Sequence, residues 1–313
     1  MKESISVAIP VFNRAGWIGK TLEHIFSQSV PVDEVILCDD GSTDDLEQAI
    51  QIYRDKIKVI RIENSGPAIA RKVAIENSSG DWIALCDSDD FWNADHIENF
   101  LNALGQFPQS DLYFSNFLAS DRQCQTKFEC APEGWFERLT GSVWLESTLY
   151  YRTQRPFLGA LLEYQACFPS CLIFRRDLYQ KIGGIKEYVS RWASEDLHLT
   201  ARMASITAGI VSTRQSVIIN KHNENFSGEH IKNVEGEILI LDDLLTNNLV
   251  SEALFKIVEE KHEILKRNLF RLYFWSSQFE SATKLSRSIS LKSLSIKDLL
   301  RLVISYLRYG LNL

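Results

Sequence analysis

Up to residue 90 the chain alternates between two hydrophobic rhythms. Ile5 to Val11 puts Ile5, Val7, Ile9 and Val11 on one face and Ala8 on the other, the pattern of a buried strand. Ile18, Leu22, Ile25 and Phe26 then recur at helical spacing. Val35 to Cys38 is a short continuous apolar run, typical of a strand covered on both faces. It ends in Asp39-Asp40-Gly41-Ser42-Thr43-Asp44, where Gly41 permits a tight turn. Ser42, Thr43 or Asp44 can cap the next helix, which carries Leu46, Ala49 and Ile50. Lys58 to Ile62 reads as a third strand, and Gly66-Pro67 opens a helix running through Arg71 to Glu76. Trp82 to Cys86 is a fourth strand, and it ends in Asp87-Ser88-Asp89-Asp90.

This strand–helix alternation implies a mainly parallel central sheet, Rossmann-like and flanked by helices, with right-handed crossovers. Ligands of such sheets bind outside the carboxyl ends of the strands. Both acidic clusters fall there, so the fold logic brings sequence-distant carboxylates to one edge. Beyond this region Asp111 to Phe117 and Ser170 to Phe174 read as strands. A helix through Tyr179 to Ile182 is ended by Gly183-Gly184. Glu195-Asp196 begins another, with Leu197, Leu199 and Met203. Residues 119–165 carry aromatics without a clear period, so loops and short elements covering the site are expected. Of Trp135, Phe136, Trp144, Tyr150, Tyr151 and Phe157, most should build a local core and one or two contact an acceptor. From about residue 234 the pattern is helical. The expected division is a catalytic domain over 1–230 and a helical C-terminal extension over 231–313.

Composition narrows the classes. With 45% hydrophobic and 24% charged residues among 313, the chain is an ordinary globular protein. A net charge of -7 argues against nucleic acid as a partner. No apolar run reaches the length of a membrane span. Lys2, Glu3 and Ser4 lead straight into a strand-like run, so no signal peptide is expected. None of the six cysteines forms a CxxC pair, and reduced thiols in the cytosol are the simplest account. One segment departs from the acidic whole. From residue 281 the chain carries Lys284, Arg287, Lys292, Lys297, Arg301 and Arg308 against the single acid Asp298, alongside a broad apolar face. A basic amphipathic helix of this kind can lie on an anionic membrane surface or pack on protein.

Two carboxylates spaced D-x-D after a buried strand can share a divalent cation, and hard oxygen donors favour Mg²⁺ or Mn²⁺. Such an ion normally also binds substrate phosphates. An Asp after a neighbouring strand can accept hydrogen bonds from a base or ribose, and Arg71 and Lys72 can face phosphates. Neither GxxxxGK[ST] nor GxGxxG occurs. The residues therefore describe a nucleoside-diphosphate site without a P-loop.

The stretch from Ser6 to Asn13 resembles the opening strand of family 2 glycosyltransferases, which have the GT-A fold. The resemblance continues through Asp39 to Asp44, Gly66 with Ala70-Arg71, Gly80 to Ile83 and Asp87 to Asp90. It returns at Phe174-Arg175-Arg176, Ile182-Gly183-Gly184 and Glu195-Asp196-Leu197, with a last weak echo at His222, Asn225 and Ser227. It implies an inverting, metal-dependent transfer from a nucleoside-diphosphate sugar, most simply a UDP-sugar, to a hydroxyl of a glycan or lipid-linked glycan. Bacterial surface polysaccharide biosynthesis is the implied setting. By the same resemblance Pro10 and Asp40 would hold the base, Asp39 would orient that loop, and Arg71 would lie near the base or diphosphate. Asp89 would ligate Mn²⁺ or Mg²⁺, with Asp87 near ribose or metal and His222 approaching the metal. Asp196 would be the general base and Glu195 a structural or acceptor-side contact. Ile185-Lys186-Glu187 replaces the family's usual Phe-Asp-Glu, which loosens the match of the acceptor-side loop.

Two other readings stay open at this point. A nucleotidyltransferase also pairs carboxylates around Mg²⁺, but would show a Gly-rich, Lys-bearing loop after the first strand. A non-catalytic sugar-nucleotide-binding module is the other. The implied location is cytoplasmic, with peripheral contact at the inner face of the plasma membrane. A homo-oligomer is open.

Overall fold

The computed structural model describes residues 3–121, 125–222 and 230–310. Cys124, Asn225 and Ser227 lie outside the described residues. By its internal contacts the chain divides into two compact units. The first comprises Met1–Arg191 and His198–Asn223, and the second Trp192–Leu197 and Glu224–Leu313.

In the first unit the strands are β1 (Ile5–Val11), β2 (Glu34–Asp39), β3 (Lys58–Arg61), β4 (Trp82–Leu85), β5 (Phe91–Trp92), β6 (Leu112–Ala119), β7 (Tyr150–Arg152), β8 (Leu172–Arg175) and β9 (Ile210–Ile219). The helices between them are α1 (Ala15–Phe26), α2 (Leu46–Ile50), α3 (Pro67–Glu76), α4 (His96–Gln106), α5 (Trp135–Thr140), α6 (Leu158–Glu163), α7 (Arg176–Lys181) and α8 (Glu195–Ala204), of which residues 195–197 are assigned to the second unit. Among the described residues the strands form one nine-stranded sheet in the order β3-β2-β1-β4-β8-β6-β9-β5, with β7 beside β9. Strands β3, β2, β1 and β4 are mutually parallel, as the alternating pattern requires. Beyond β4 the sheet is mixed: β8 runs antiparallel to both β4 and β6, while β6 and β9 are parallel.

Every residue of β1 is buried, including its one polar residue, Ser6, whose Oγ donates to Glu34 Oε2 at 2.7 Å and accepts the Gly80 amide at 2.8 Å. Ile18, Leu22 and Ile25 of α1 pack beneath it with Leu37, Leu46 and Ile50. None of Ser42, Thr43 and Asp44 caps α2, whose start has no side-chain cap. Asp44 Oδ2 instead accepts the Ala15 amide at 2.8 Å, serving the first turn of α1. The sequence reading had the right residue type and the wrong helix, because adjacent loops at one sheet edge compete for the same acceptor.

The aromatic middle is core. Trp135, Phe136, Tyr150, Tyr151 and Phe157 are buried, and Trp144 is half-buried against Phe136 and Phe128. Trp135 Nε1 donates to the Ala160 carbonyl at 2.9 Å, which gives the buried indole its hydrogen-bond partner. Cys38, Cys86, Cys167 and Cys171 are buried free thiols, and Cys130 is half-buried and also free.

The second unit contains α9 (His230–Thr246), α10 (Glu252–Trp275), α11 (Phe279–Ser286) and α12 (Ile296–Gly310), together with the segment 192–197. Leu241, Leu244, Val258, Leu269 and Phe270 form its buried stripe. Among the described residues no helix is long and apolar enough to cross a membrane.

Candidate functional site

Four loops leave the carboxyl ends of β1, β2, β3 and β4, and side chains bind them to one another. Asn13 follows β1 with φ of 51°, a left-handed conformation that Asn tolerates. Its Oδ1 accepts the Thr43 amide at 2.8 Å, and its own amide donates to Ser42 Oγ at 3.0 Å. The first two loops are thereby tied together. Gly41, at φ of 80°, passes so close to the third loop that a Cβ would stand 3.1 Å from the Asn64 amide nitrogen.

Asp39 and Asp40 are both buried, and they do different work. Asp39 Oδ1 accepts the Ser42 amide at 2.7 Å, closing its own turn, and Oδ2 accepts Arg61 Nη1 at 2.6 Å. Asp40 reaches across to the loop before α3, where its two oxygens accept the amides of Ser65 at 2.7 Å and Gly66 at 2.9 Å. Pro10 lies in β1, buried and directly opposite Cys38 in the register. Burial, with Asp40 and Asp39 adding negative charge, pushes the Cys38 thiol up to about 12, so it stays protonated.

The β4 loop carries the second acidic cluster. Arg71, buried on α3, donates from Nη2 to Asp87 Oδ1 at 3.0 Å. Lys72 faces elsewhere, pairing with Glu76 and Glu187. Asp89 Oδ2 receives Arg14 Nε at 3.3 Å and lies 2.9 Å from His222 Nε2. The imidazole of His222 is stacked on Trp17, with ring centres 4.8 Å apart. Asp90, next in the turn, is buried. Its Oδ2 accepts Ser170 Oγ at 2.5 Å and its Oδ1 the Asn220 amide at 2.9 Å. Burial, with Asp87 and Asp89 alongside, holds the Asp90 carboxyl well above the usual carboxylate range. Ser170 Oγ also accepts the Asp87 amide at 2.9 Å, so one hydroxyl sets both ends of the turn. Thr21 of α1 donates to the Ser88 carbonyl at 3.0 Å.

The structure thus joins Asp39, Asp40, Arg71, Asp87, Asp89 and His222 to loops at one edge of the parallel strands. Glu195 and Asp196 belong to the second unit, where they open α8. Ser194 before them has φ of 61°, an uncommon conformation for a non-glycine residue. Glu195 is buried and its Oε2 accepts the Asp196 amide at 2.6 Å, while Asp196 is half-buried. Sequence reasoning missed Arg14, Trp17, Ser170 and Asn220. Arg14 carried a readable signal, a cation directly after the first strand of an acid-rich edge. The other three are placed by tertiary packing that no local pattern announces.

The donor chemistry suits a hard divalent cation: two carboxylates and an imidazole whose Nε2 lies beside one of them. Among the described residues no three His, Cys, Asp or Glu side chains are grouped closely enough to hold an ion, and the guanidinium groups of Arg14 and Arg71 occupy the carboxylates.

Residues 6–183 match the model of glycosyl transferase family 2. A putative teichuronic acid biosynthesis glycosyltransferase, TuaG of Bacillus subtilis, is 34% identical over 137 residues, 42% of this chain and 54% of that protein. The chain spans about half of TuaG's length and smaller shares of the Rickettsia glycosyltransferases it also matches. Among solved structures, S. aureus TarS 1-349 in complex with UDP superposes with a TM-score of 0.58 at 20% identity, covering 92% of this chain and 76% of that one. The mannosyltransferase PcManGT of Pyrobaculum calidifontis, in complex with GDP-Man and Mn²⁺, gives 0.60 at 15% identity, covering 99% and 81%. Those likenesses establish the GT-A fold expected from the motifs. With more than half of its length under the family model, the chain belongs to glycosyl transferase family 2.

Proposed function

We propose that the chain is an inverting glycosyltransferase that moves a sugar from a nucleoside-diphosphate sugar, most simply a UDP-sugar, to a hydroxyl of a glycan or lipid-linked glycan. The observation that carries this reading is the tying of Asp40, Arg71, Asp87 and Asp89 to one edge of the parallel strands, where such sheets bind ligands. Pro10 and Asp40 hold the base, with Asp39 fixing the turn beside them. Arg71 meets the base or diphosphate, and Asp87 the ribose or metal. Asp87, Asp89 and His222 are the residues that would hold Mn²⁺ or Mg²⁺ once the carboxylates are released from Arg14 and Arg71, and the ion would offset the charge developing on the leaving diphosphate. Asp196 takes the proton of the attacking hydroxyl, with Glu195 ordering its turn, and a single displacement inverts the anomeric centre. Residues 1–230 form the catalytic domain in this reading.

TuaG's name places it in teichuronic acid biosynthesis, and another relative is a succinoglycan biosynthesis protein, ExoW of Rhizobium meliloti. Surface polysaccharide assembly at the cytoplasmic face of the plasma membrane is the setting proposed here, with peripheral contact through the last helix. Nucleotidyl transfer is disfavoured because the loop after β1 is Phe12-Asn13-Arg14, tied down by Asn13, and carries no Gly-rich phosphate cradle. The deciding experiment is a thermal-shift screen of nucleotides and sugar nucleotides with and without Mn²⁺. Ligands that bind the folded state raise the melting temperature. One diphosphate class should stand out, with a larger shift when Mn²⁺ is present. No shift from any diphosphate would remove the reading. Glycosylated product from the active donor then separates an enzyme from a non-catalytic binding module.

A further inference from the structure

Helix α12 is built inside out. At about 100° per residue, Asp298 and Ser305 fall on one side of it and Leu299, Leu300, Val303, Ile304, Tyr306 and Leu307 within an arc of about 160° on the other. The polar side is the buried one: Asp298 and Ser305 are both fully enclosed. Asp298 accepts Arg271 Nε at 3.0 Å and Nη2 at 2.8 Å, Arg301 Nη1 at 2.6 Å and Ser295 Oγ at 2.6 Å. The helix is thus fastened to α10 through a satisfied ion-pair network. Its apolar side is left in solvent, with Val303 at 57%, Leu300 at 60% and Leu307 at 59% exposure, and Ile296 more exposed still at 79%. A continuous exposed apolar face of this kind marks a contact surface. Lys297 and Arg308 are exposed along one edge of it, and Lys284, Arg287 and Lys292 are exposed on the preceding elements.

We propose that this face docks on a lipid surface bearing anionic headgroups, the apolar arc entering the headgroup–acyl boundary while the flanking cations meet the headgroups. The proposal extends the membrane part of the proposed function, and it stands apart from the transfer reaction because its test uses no sugar nucleotide. Charge selects the occupant. Asp298 is the only acid between residues 281 and 310, and it is buried among arginines. A second copy placed face to face would therefore bring Lys297 and Arg308 towards the same cations of its partner with no acid of this stretch between them. An anionic bilayer answers both the apolar arc and its cationic edge.

The full chain is pelleted with vesicles of phosphatidylcholine alone or mixed with phosphatidylglycerol, as wild type, as Leu300→Gln with Leu307→Gln, and as Lys297→Gln with Arg308→Gln. All four sites are exposed, and circular dichroism checks the fold. The wild type should partition onto the mixed vesicles. The leucine pair should lose about tenfold or more of that binding, and the cation pair should lose its preference for anionic over neutral vesicles. No partitioning by the wild type overturns the proposal, as does partitioning unchanged in the leucine pair. A dimer in sedimentation equilibrium that the leucine pair dissociates, without vesicle binding, also overturns it and assigns the face to a second copy.

Discussion

The carboxylate of Asp40, at the end of β2, holds Gly66, the residue before α3, by a 2.9 Å bond to its amide. Gly66 has φ of 96°, and a Cβ there would stand 2.7 Å from Ser190 Oγ and 2.8 Å from the Ser190 carbonyl oxygen. One acid and one glycine therefore fix the approach of three chain segments. Asp40→Asn places an amide group opposite two donors and should cost about 1–3 kcal/mol, because a buried donor loses its acceptor. Gly66→Ala should destabilise as well, through a positive φ and a contact with backbone. Denaturant midpoints of the two variants measure both effects; wild-type midpoints would contradict the role given to this pair.

Asp89 and His222 are expected to act together on the cation. His222→Ala should weaken Mn²⁺ binding about tenfold or more, and Asp89→Asn by at least as much. Calorimetric titration of Mn²⁺ in the presence of UDP reads this directly. Treatment with a chelator should remove transfer activity, and Mn²⁺ should restore it. Unchanged Mn²⁺ affinity in both variants would take these residues out of the metal site.

Asp196→Asn should lower kcat by roughly 10²- to 10⁴-fold, the usual worth of a positioned base. Its affinity for the sugar nucleotide should stay close to wild type, since in the proposed reaction that group acts on the acceptor. Steady-state kinetics paired with donor titration separates the two effects. A drop in donor affinity with kcat retained would move Asp196 from the base role to donor binding.

Much of this architecture can be read in the chain. Strands β1, β2 and β4 are legible because they are almost wholly buried, and β3 as a short apolar pair between Lys58 and Arg61, with Gly66-Pro67 and Asp39 to Asp44 punctuating them. That was enough to set the acidic clusters at one edge. Strand β9 was not legible. Its centre, Ser212-Thr213-Arg214-Gln215-Ser216, is polar, and β6 is irregular opposite it between Ser115 and Phe117. Strand β5 is two residues long, too short for any period. Ser170 and Asn220, which fix the Asp87–Asp90 turn, come from segments far along the chain, and their role exists only once β8 and β9 are in place. The amphipathic character of α12 was legible, but which side it buries was not, because an ion-pair network outweighs the apolar stripe there.

His96 makes the protein's stability depend on mild acid. It is fully buried against Trp92 with Nδ1 2.8 Å from Ser216 Oγ, and burial pulls its imidazole down to about 3. The unfolded chain, with an ordinary value near ~6.5, takes up the proton first. The neutral ring's contribution is therefore complete above about pH 6.5 and declines below it, by about 1.4 kcal/mol per pH unit. Replacing His96 with Gln removes this titration. The difference in denaturation free energy between wild type and variant should shrink from about pH 7.5 to about pH 5.5. A constant difference would show that His96 does not titrate on unfolding.

Gly236 on α9 bears on the proposed base through a backbone contact. A Cβ at Gly236 would overlap the backbone carbonyl of Ala193, two residues before Glu195. Close approach of α9 to the 193–196 turn thus depends on the missing side chain, and that turn sets the geometry of Asp196 through Ser194 and Glu195. Alanine is the better helix former, so helix propensity alone predicts a gain of about 0.5–1 kcal/mol. The contact with rigid backbone should reverse it and displace the turn. Displacing a catalytic group by about 1 Å can cost about 10²-fold in rate. Gly236→Ala should therefore lower kcat by at least about tenfold with donor affinity little changed. Gly105→Ala on α4, where the added Cβ meets nothing beyond its own helix within 4 Å, is the control and should keep full activity. Full activity in Gly236→Ala would mean that α9 does not set the position of the base.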